Sequence, residues 1–152
     1  MKTYLFDTQS LSSLTHKYAK GRDKIRSKVL LLEKDDQICA SVLSLYEMEY
    51  GVRHANDEEI KEISYRAIQF VKHSQNIFIV PLSEKGAEIF GELKEQYQQC
   101  KKLGKKALKK HNIDLIIAAT AIEFEAVLVS SDGIFEEICE LREDFKWEDW
   151  TQ

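Results

Sequence analysis

Apolar residues fall along this chain in two alternating rhythms, short unbroken runs and longer stretches spaced three and four apart, which predict strands separated by helices. Tyr4-Leu5-Phe6 marks a first strand over Lys2 to Asp7, with Asp7 at its carboxyl end. Leu11, Leu14 and Tyr18 then keep helical spacing, with Ser10 as cap and Gly21 as stop. Ile25, Val29 and Leu32 predict a second helix, about Asp23 to Glu33, that completes a helical hairpin. A short strand over Gln37 to Ala40 leads into a helix capped by Ser41 and reaching about His54. Ile60, Ile63, Ala67, Phe70 and Val71 mark the apolar face of a longer helix, Asp57 to Ser74. Ile77 to Val80 is a third strand ended by Pro81, and Ser83 caps a helix lined by Ala87, Phe90, Leu93 and Tyr97. Val127 to Ser130 reads as a buried strand, Ile134 to Leu141 as a helix and Phe145 to Trp150 as an edge strand. Strands alternating with helices imply βαβ units, hence an α/β fold with a mostly parallel sheet of four to five strands flanked by helices. No linker or repeat interrupts the pattern, so residues 1–152 are expected to form one domain.

The segment from Asn112 to Asp132 organises this layout. Asp114 stands near the start of a predicted helix, where free backbone N–H groups and the positive dipole end favour a carboxylate. Ala118, Ala119 and Ala121 give that helix a small-residue face for close packing, and Asp132 emerges just past the following strand. Ligands of open α/β sheets bind at the carboxyl ends of the strands. The segment therefore aims two carboxylates at the expected functional edge.

With 43% hydrophobic and 32% charged residues the composition is that of a globular protein. The odd number of cysteines, Cys39, Cys100 and Cys139, matches neither a zinc site nor a disulfide framework. Tyr4-Leu5-Phe6 ends at once in Asp7, unlike a secretory signal, and the apolar run Leu115 to Ile122 is far short of the roughly 20 residues that span a membrane. A cytoplasmic protein without a membrane partner is expected. The net charge of −4 argues against nucleic acid until its distribution is considered. Residues 101–111 hold Lys101, Lys102, Lys105, Lys106, Lys109 and Lys110 and no acid, immediately before Asp114.

Asp7, Glu47, Asp114 and Asp132 come from four elements, yet each lies at a strand end or near a helix start. Read singly, they are caps and surface residues. Brought to one edge, they would repel, and a divalent cation would relieve the repulsion. An all-oxygen set without His or Cys suits Mg²⁺ or Mn²⁺ rather than zinc. Glu49 competes with Glu47, but two residues apart on a helix they point to nearly opposite sides.

These residues sit in segments that resemble the PIN-domain nucleases, most closely the VapC-type toxin ribonucleases of bacterial toxin–antitoxin pairs. Leu5-Phe6-Asp7-Thr8 is similar to that family's first strand and first metal-binding Asp. Ser41 to Gly51 resembles its second motif, in which the acid precedes a Gly by four positions and so falls on Glu47. Asp114-Leu-Ile-Ile-Ala-Ala-Thr-Ala121 is the most specific match, and Leu128-Val-Ser-Ser-Asp132-Gly-Ile-Phe135 resembles the final motif. Two positions depart: Gln9 stands where the family usually has Asn, which puts a contact behind the metal in doubt, and Ser130 stands where Thr is common.

The resemblance implies a three-layer PIN-like fold and a Mg²⁺- or Mn²⁺-dependent ribonuclease with Asp7, Glu47, Asp114 and Asp132 as metal ligands. Products would carry a 5′ phosphate and a 3′ hydroxyl. Thr8 and Ser130 would hydrogen-bond ligated groups, or else merely cap local structure. Lys105, Lys106, Lys109 and Lys110 either contact RNA phosphates or form a solvated loop. The implied partners are RNA, an antitoxin that inserts a segment across the site, and a second copy in a homodimer. A scaffold that binds RNA or protein without cleavage is the alternative. A phosphatase of the haloacid-dehalogenase type also starts with a strand ending in Asp, but needs a second Asp where this chain has Gln9.

Overall fold

A parallel strand covered by helices on both faces must be apolar on both, and the central strands here are. The computed structural model describes residues 1–152 and places β1 (Thr3–Phe6), β2 (Gln37–Ser41), β3 (Ile77–Val80), β4 (Val127–Val129) and β5 (Lys146–Glu148) in one sheet. The strand order is β3-β2-β1-β4-β5, and every neighbouring pair is parallel. Eight helices connect and cover it: α1 (Thr8–Thr15), α2 (Arg22–Leu30), α3 (Val42–His54), α4 (Glu58–His73), α5 (Glu84–Lys101), α6 (Lys105–Lys109), α7 (Asn112–Glu123) and α8 (Ile134–Leu141).

The two-residue period of the strands divides the core into two. Leu5, Cys39 and Leu128 point to one face and pack with Leu93 and Tyr97 of α5, Leu115 and Ala118 of α7 and Phe135 of α8. Tyr4, Phe6, Ile38, Ala40 and Val129 point to the other, against Leu11, Ile25, Met48, Ile68 and Trp150. The result is three layers, helix on sheet on helix. Helix α7 is buried along its length from Leu115 to Ala121 except at Ile116, and its alanines allow it to pack between α5 and the sheet.

The same topology collects the acids. Phe6 pairs with Ala40 and with Val129, so Asp7, Ser41 and Ser130 leave the sheet at one edge. Helix α7 ends where β4 begins, at the opposite edge, and its 12 residues span about 18 Å. Its first turn, with Asp114, thereby returns to the edge where β4 delivers Asp132.

Several sequence expectations are corrected. The cap of α1 is Asp7, whose Oδ1 accepts from the Ser10 amide at 2.8 Å; Ser10 lies inside the helix and donates its hydroxyl to the Val129 carbonyl at 2.9 Å. Helix α1 ends at Thr15, because the polar stretch after it offers the core nothing, and Tyr18 is 62% exposed. Gly21 begins α2 rather than ending α1: its φ of 81° is left-handed, and a Cβ there would sit 3.0 Å from Thr151 Cγ2. On α4 the buried stripe is Ala67, Ile68 and Val71, while Ile60 and Phe70 face solvent. Part of the lysine-rich segment is helical, since α6 is pinned by buried Leu108. All three cysteines are free thiols, and no helix is long and apolar enough to cross a membrane.

Candidate active site

Asp7 extends β1 by one hydrogen bond, its amide donating to the Val129 carbonyl at 3.2 Å, so its carboxylate is fixed by the sheet itself. Beyond the Ser10 amide it accepts from Ser130 Oγ on Oδ2 at 2.5 Å. Burial pushes the Asp7 pKa up, the hydrogen bonds from Ser130 and Ser10 pull it back in part, and the Asp132 charge adds to the rise. Ser130 is fully buried, its Oγ accepts from the Asp132 amide at 3.1 Å, and its carbonyl accepts from Trp147 Nε1 at 2.8 Å. Asp132 in turn accepts from the Ile134 amide at 3.2 Å at the start of α8. One buried hydroxyl thus ties the Asp7 carboxylate to the Asp132 backbone.

Glu47 projects from the second turn of α3 toward α1. The Thr8 hydroxyl donates to Glu47 Oε1 at 2.6 Å and lies 3.0 Å from Ser44 Oγ. Glu49 points away, gripped by Arg53 at 2.6 Å and Lys72 at 2.7 Å, and these cations hold its pKa low. Asp114 lies in the first turn of α7, half-buried. Its pKa is pushed up to about 6, first by burial and then by the Asp132 charge; His111 opposes the rise, and Asp7 and Glu47 add to it. Asp132, Asp7 and Glu47 therefore all act on Asp114.

The donor chemistry fits a hard divalent cation: four carboxyls, all oxygen, whose mutual repulsion a positive ion would relieve. As they stand, no three acidic, histidine or cysteine side chains are grouped closely enough to close on one ion. Lys105, Lys106, Lys109 and Lys110 are exposed on and just after α6, four to nine residues before Asp114. Gln9 is exposed beside Asp7 and makes no hydrogen bond to the acids. Two residues were not singled out from sequence. Ser44 precedes Glu47 by three positions, so helical spacing alone could have flagged it. His111 packs edge-on against Tyr97, with ring centroids 5.5 Å apart, and nothing in its sequence spacing marks it.

The family model of the PIN domain matches residues 4–141, which include all four acids. The chain belongs to the PIN-domain family. No curated protein matches this PIN-domain chain in a sequence search. Among solved structures it is similar to a chain of VapBC2 from Rickettsia felis, in a complex bound to a DNA fragment from its promoter. That match has 26% identity and a TM-score of 0.72, over 97% of this chain and 98% of the other. VapBC-1 from nontypeable Haemophilus influenzae matches at 22% identity and a TM-score of 0.70, over 99% of both chains. VapBC-5 from Mycobacterium tuberculosis, a member of the VapBC family of toxin-antitoxin systems, matches at 16% identity and a TM-score of 0.70, over 98% and 99%. The last two likenesses establish the PIN fold; the first extends a sequence relation to it.

Proposed function

We propose that this PIN-domain protein is a Mg²⁺- or Mn²⁺-dependent ribonuclease and the toxin of a VapBC-type pair. The observation that carries the reading is at Asp114, whose carboxyl is lifted to about 6 first by burial and then by the charges of Asp132, Asp7 and Glu47. Asp7, Glu47, Asp114 and Asp132 would hold the ion. When bound, such an ion supplies activation of water and charge neutralisation on the phosphoryl oxygens. The chain's own part is orientation. Ser130 and the Ser10 amide aim the two oxygens of Asp7, Thr8 aims Glu47, and the α7 amino terminus presents Asp114. Lys105, Lys106, Lys109 and Lys110 would contact RNA phosphates and draw the strand toward an otherwise repulsive site.

The likeness to VapBC chains supports an antitoxin partner. Leu30 and Leu31 at the end of α2 and Tyr46 and Tyr50 on α3 are exposed, and such apolar surface supports pairing with a second copy. The test is cleavage of a mixed RNA pool with Mg²⁺, with EDTA, and with Asp114→Asn. Cleavage only by the wild type with metal is expected; equal cleavage in EDTA would overturn the metal site, and none in any divalent ion would overturn the nuclease.

A further inference from the structure

A cleft of about 680 Å³ opens between the turn joining α1 to α2 and residues Thr151 and Gln152. Gln9, Ser10 and Ser131 line its inner end. Ser10 holds Asp7 through its amide, and Ser131 lies between Ser130 and Asp132 in the chain, so the inner end of the cleft is formed by chain neighbours of two of the acids. Its walls carry Lys17, Lys20, Arg22 and Lys24 against one acid, Asp23. In a chain of net charge −4 that is a local reversal of sign. None of the four cations is engaged in an ion pair with a carboxylate. Arg22 has a buried Nε–H without an acceptor, and its Nη1 reaches only the Lys17 carbonyl, at 3.5 Å. Tyr18 also lines the cleft: its hydroxyl is anchored on Glu59 at 3.1 Å, while the ring remains mostly exposed with the Lys17 ammonium 4.7 Å from its centroid.

We infer that this cleft seats the single RNA strand that runs past Asp7 from the scissile phosphate, with Lys17, Lys20, Arg22 and Lys24 taking phosphates and Tyr18 stacking a base. Four carboxylates repel a phosphodiester, and an adjoining cationic wall supplies the attraction that brings one to them. Cations interleaved with an anchored, exposed aromatic ring are the combination that holds single strands, by charge along the backbone and by stacking on the bases. An acidic peptide would use the cations and leave the ring idle. The identity of the strand rests on the ribonuclease reading; the charge and shape of the cleft do not.

The test is binding of a labelled, mixed-sequence single-stranded RNA, followed by anisotropy in Ca²⁺ buffer across a salt series, with a gel of each sample to confirm intact strand. The variants are Lys17→Ala/Lys20→Ala/Lys24→Ala, Tyr18→Ala, Tyr18→Phe, and the remote, equally charged control Lys34→Ala/Lys85→Ala/Lys146→Ala. All six lysines are exposed, so melting temperatures should match the wild type. The cleft triple variant should bind at least about tenfold more weakly, with a log–log salt slope lower by about 2. Tyr18→Ala should lose about fivefold or more with the slope kept, and Tyr18→Phe should bind as wild type. RNA binding by the triple variant equal to the control's overturns the inference, as does loss of polyglutamate binding alone, which would assign the cleft to an acidic protein. If the wild type cleaves RNA while the triple variant binds like the control, the inference falls and the ribonuclease reading stands. If the cleft variants lose binding but no divalent ion supports cleavage, the ribonuclease falls and the cleft stands as a single-strand site.

Discussion

Replacing Asp114 by Asn removes a carboxyl whose pKa burial and three neighbouring charges raise to about 6. A carboxyl raised in the folded state stabilises the fold below its unfolded pKa, and that contribution is lost as pH rises through the folded value. The metal-free protein should therefore lose about 1 kcal/mol between pH 5 and pH 8 from this half-exposed group, after allowance for solvent screening. Thermal melts in EDTA across that window should show the fall in wild type and a smaller one in Asp114→Asn, while Mn²⁺ should raise the wild-type melting temperature more than the variant's. Asp114→Asn melting well below wild type at pH 8 yet still cleaving RNA would place the chemistry elsewhere. On α3 the two glutamates part company: Glu47→Gln should abolish cleavage with the fold intact, and Glu49→Gln should leave cleavage unchanged, since Glu49 only ties Arg53 and Lys72 together. Ser130→Ala frees Asp7 Oδ2 and the Asp132 amide at once, and metal affinity by titration calorimetry should drop about 10- to 100-fold.

At the scale of elements, α7 and the α1–α2 turn are the least forgiving. Ala118 and Ala121 are completely buried between α5 and the sheet, so Ala118→Leu should cost about 1–3 kcal/mol by overpacking, read from urea unfolding. Gly21→Ala should cost about 1–2 kcal/mol, because a left-handed residue would acquire a Cβ pressed against Thr151. These elements were unequally legible in the sequence. Helix α3 was legible at both ends, Ser41 and His54, and β3 was closed by Pro81. The start of α1 was not legible, because one carboxylate, Asp7, both caps the helix and faces the site, and Ser10 looked like the better cap. The stripe of α4 was misjudged because Phe70 is aromatic yet exposed, and residue type alone does not tell surface from core.

Across the whole molecule, the sequence drew attention to Asp7 and Asp132 because they follow the apolar runs of β1 and β4, and to Asp114 because it precedes that of α7. The hydroxyls behind them were only half legible, since Ser44 meets Thr8 when α1 packs on α3, and the cationic cleft was hidden in a turn expected to be the end of a helix. Neutralising Lys105, Lys106, Lys109 and Lys110 together should weaken RNA binding and flatten its salt dependence; an unchanged slope would leave α6 as a solvated hinge into α7. The strand order has one more consequence, for the timing of synthesis. Strand β1, made before the other four strands, sits in the middle of the sheet, and its neighbour on one side, β4, comes more than 120 residues later. Until β4 and Ser130 have emerged, Asp7 lacks the Ser130 hydroxyl, and Asp132 does not yet exist on the growing chain. Any nuclease activity that needs Asp132 therefore begins only after β4 has been made.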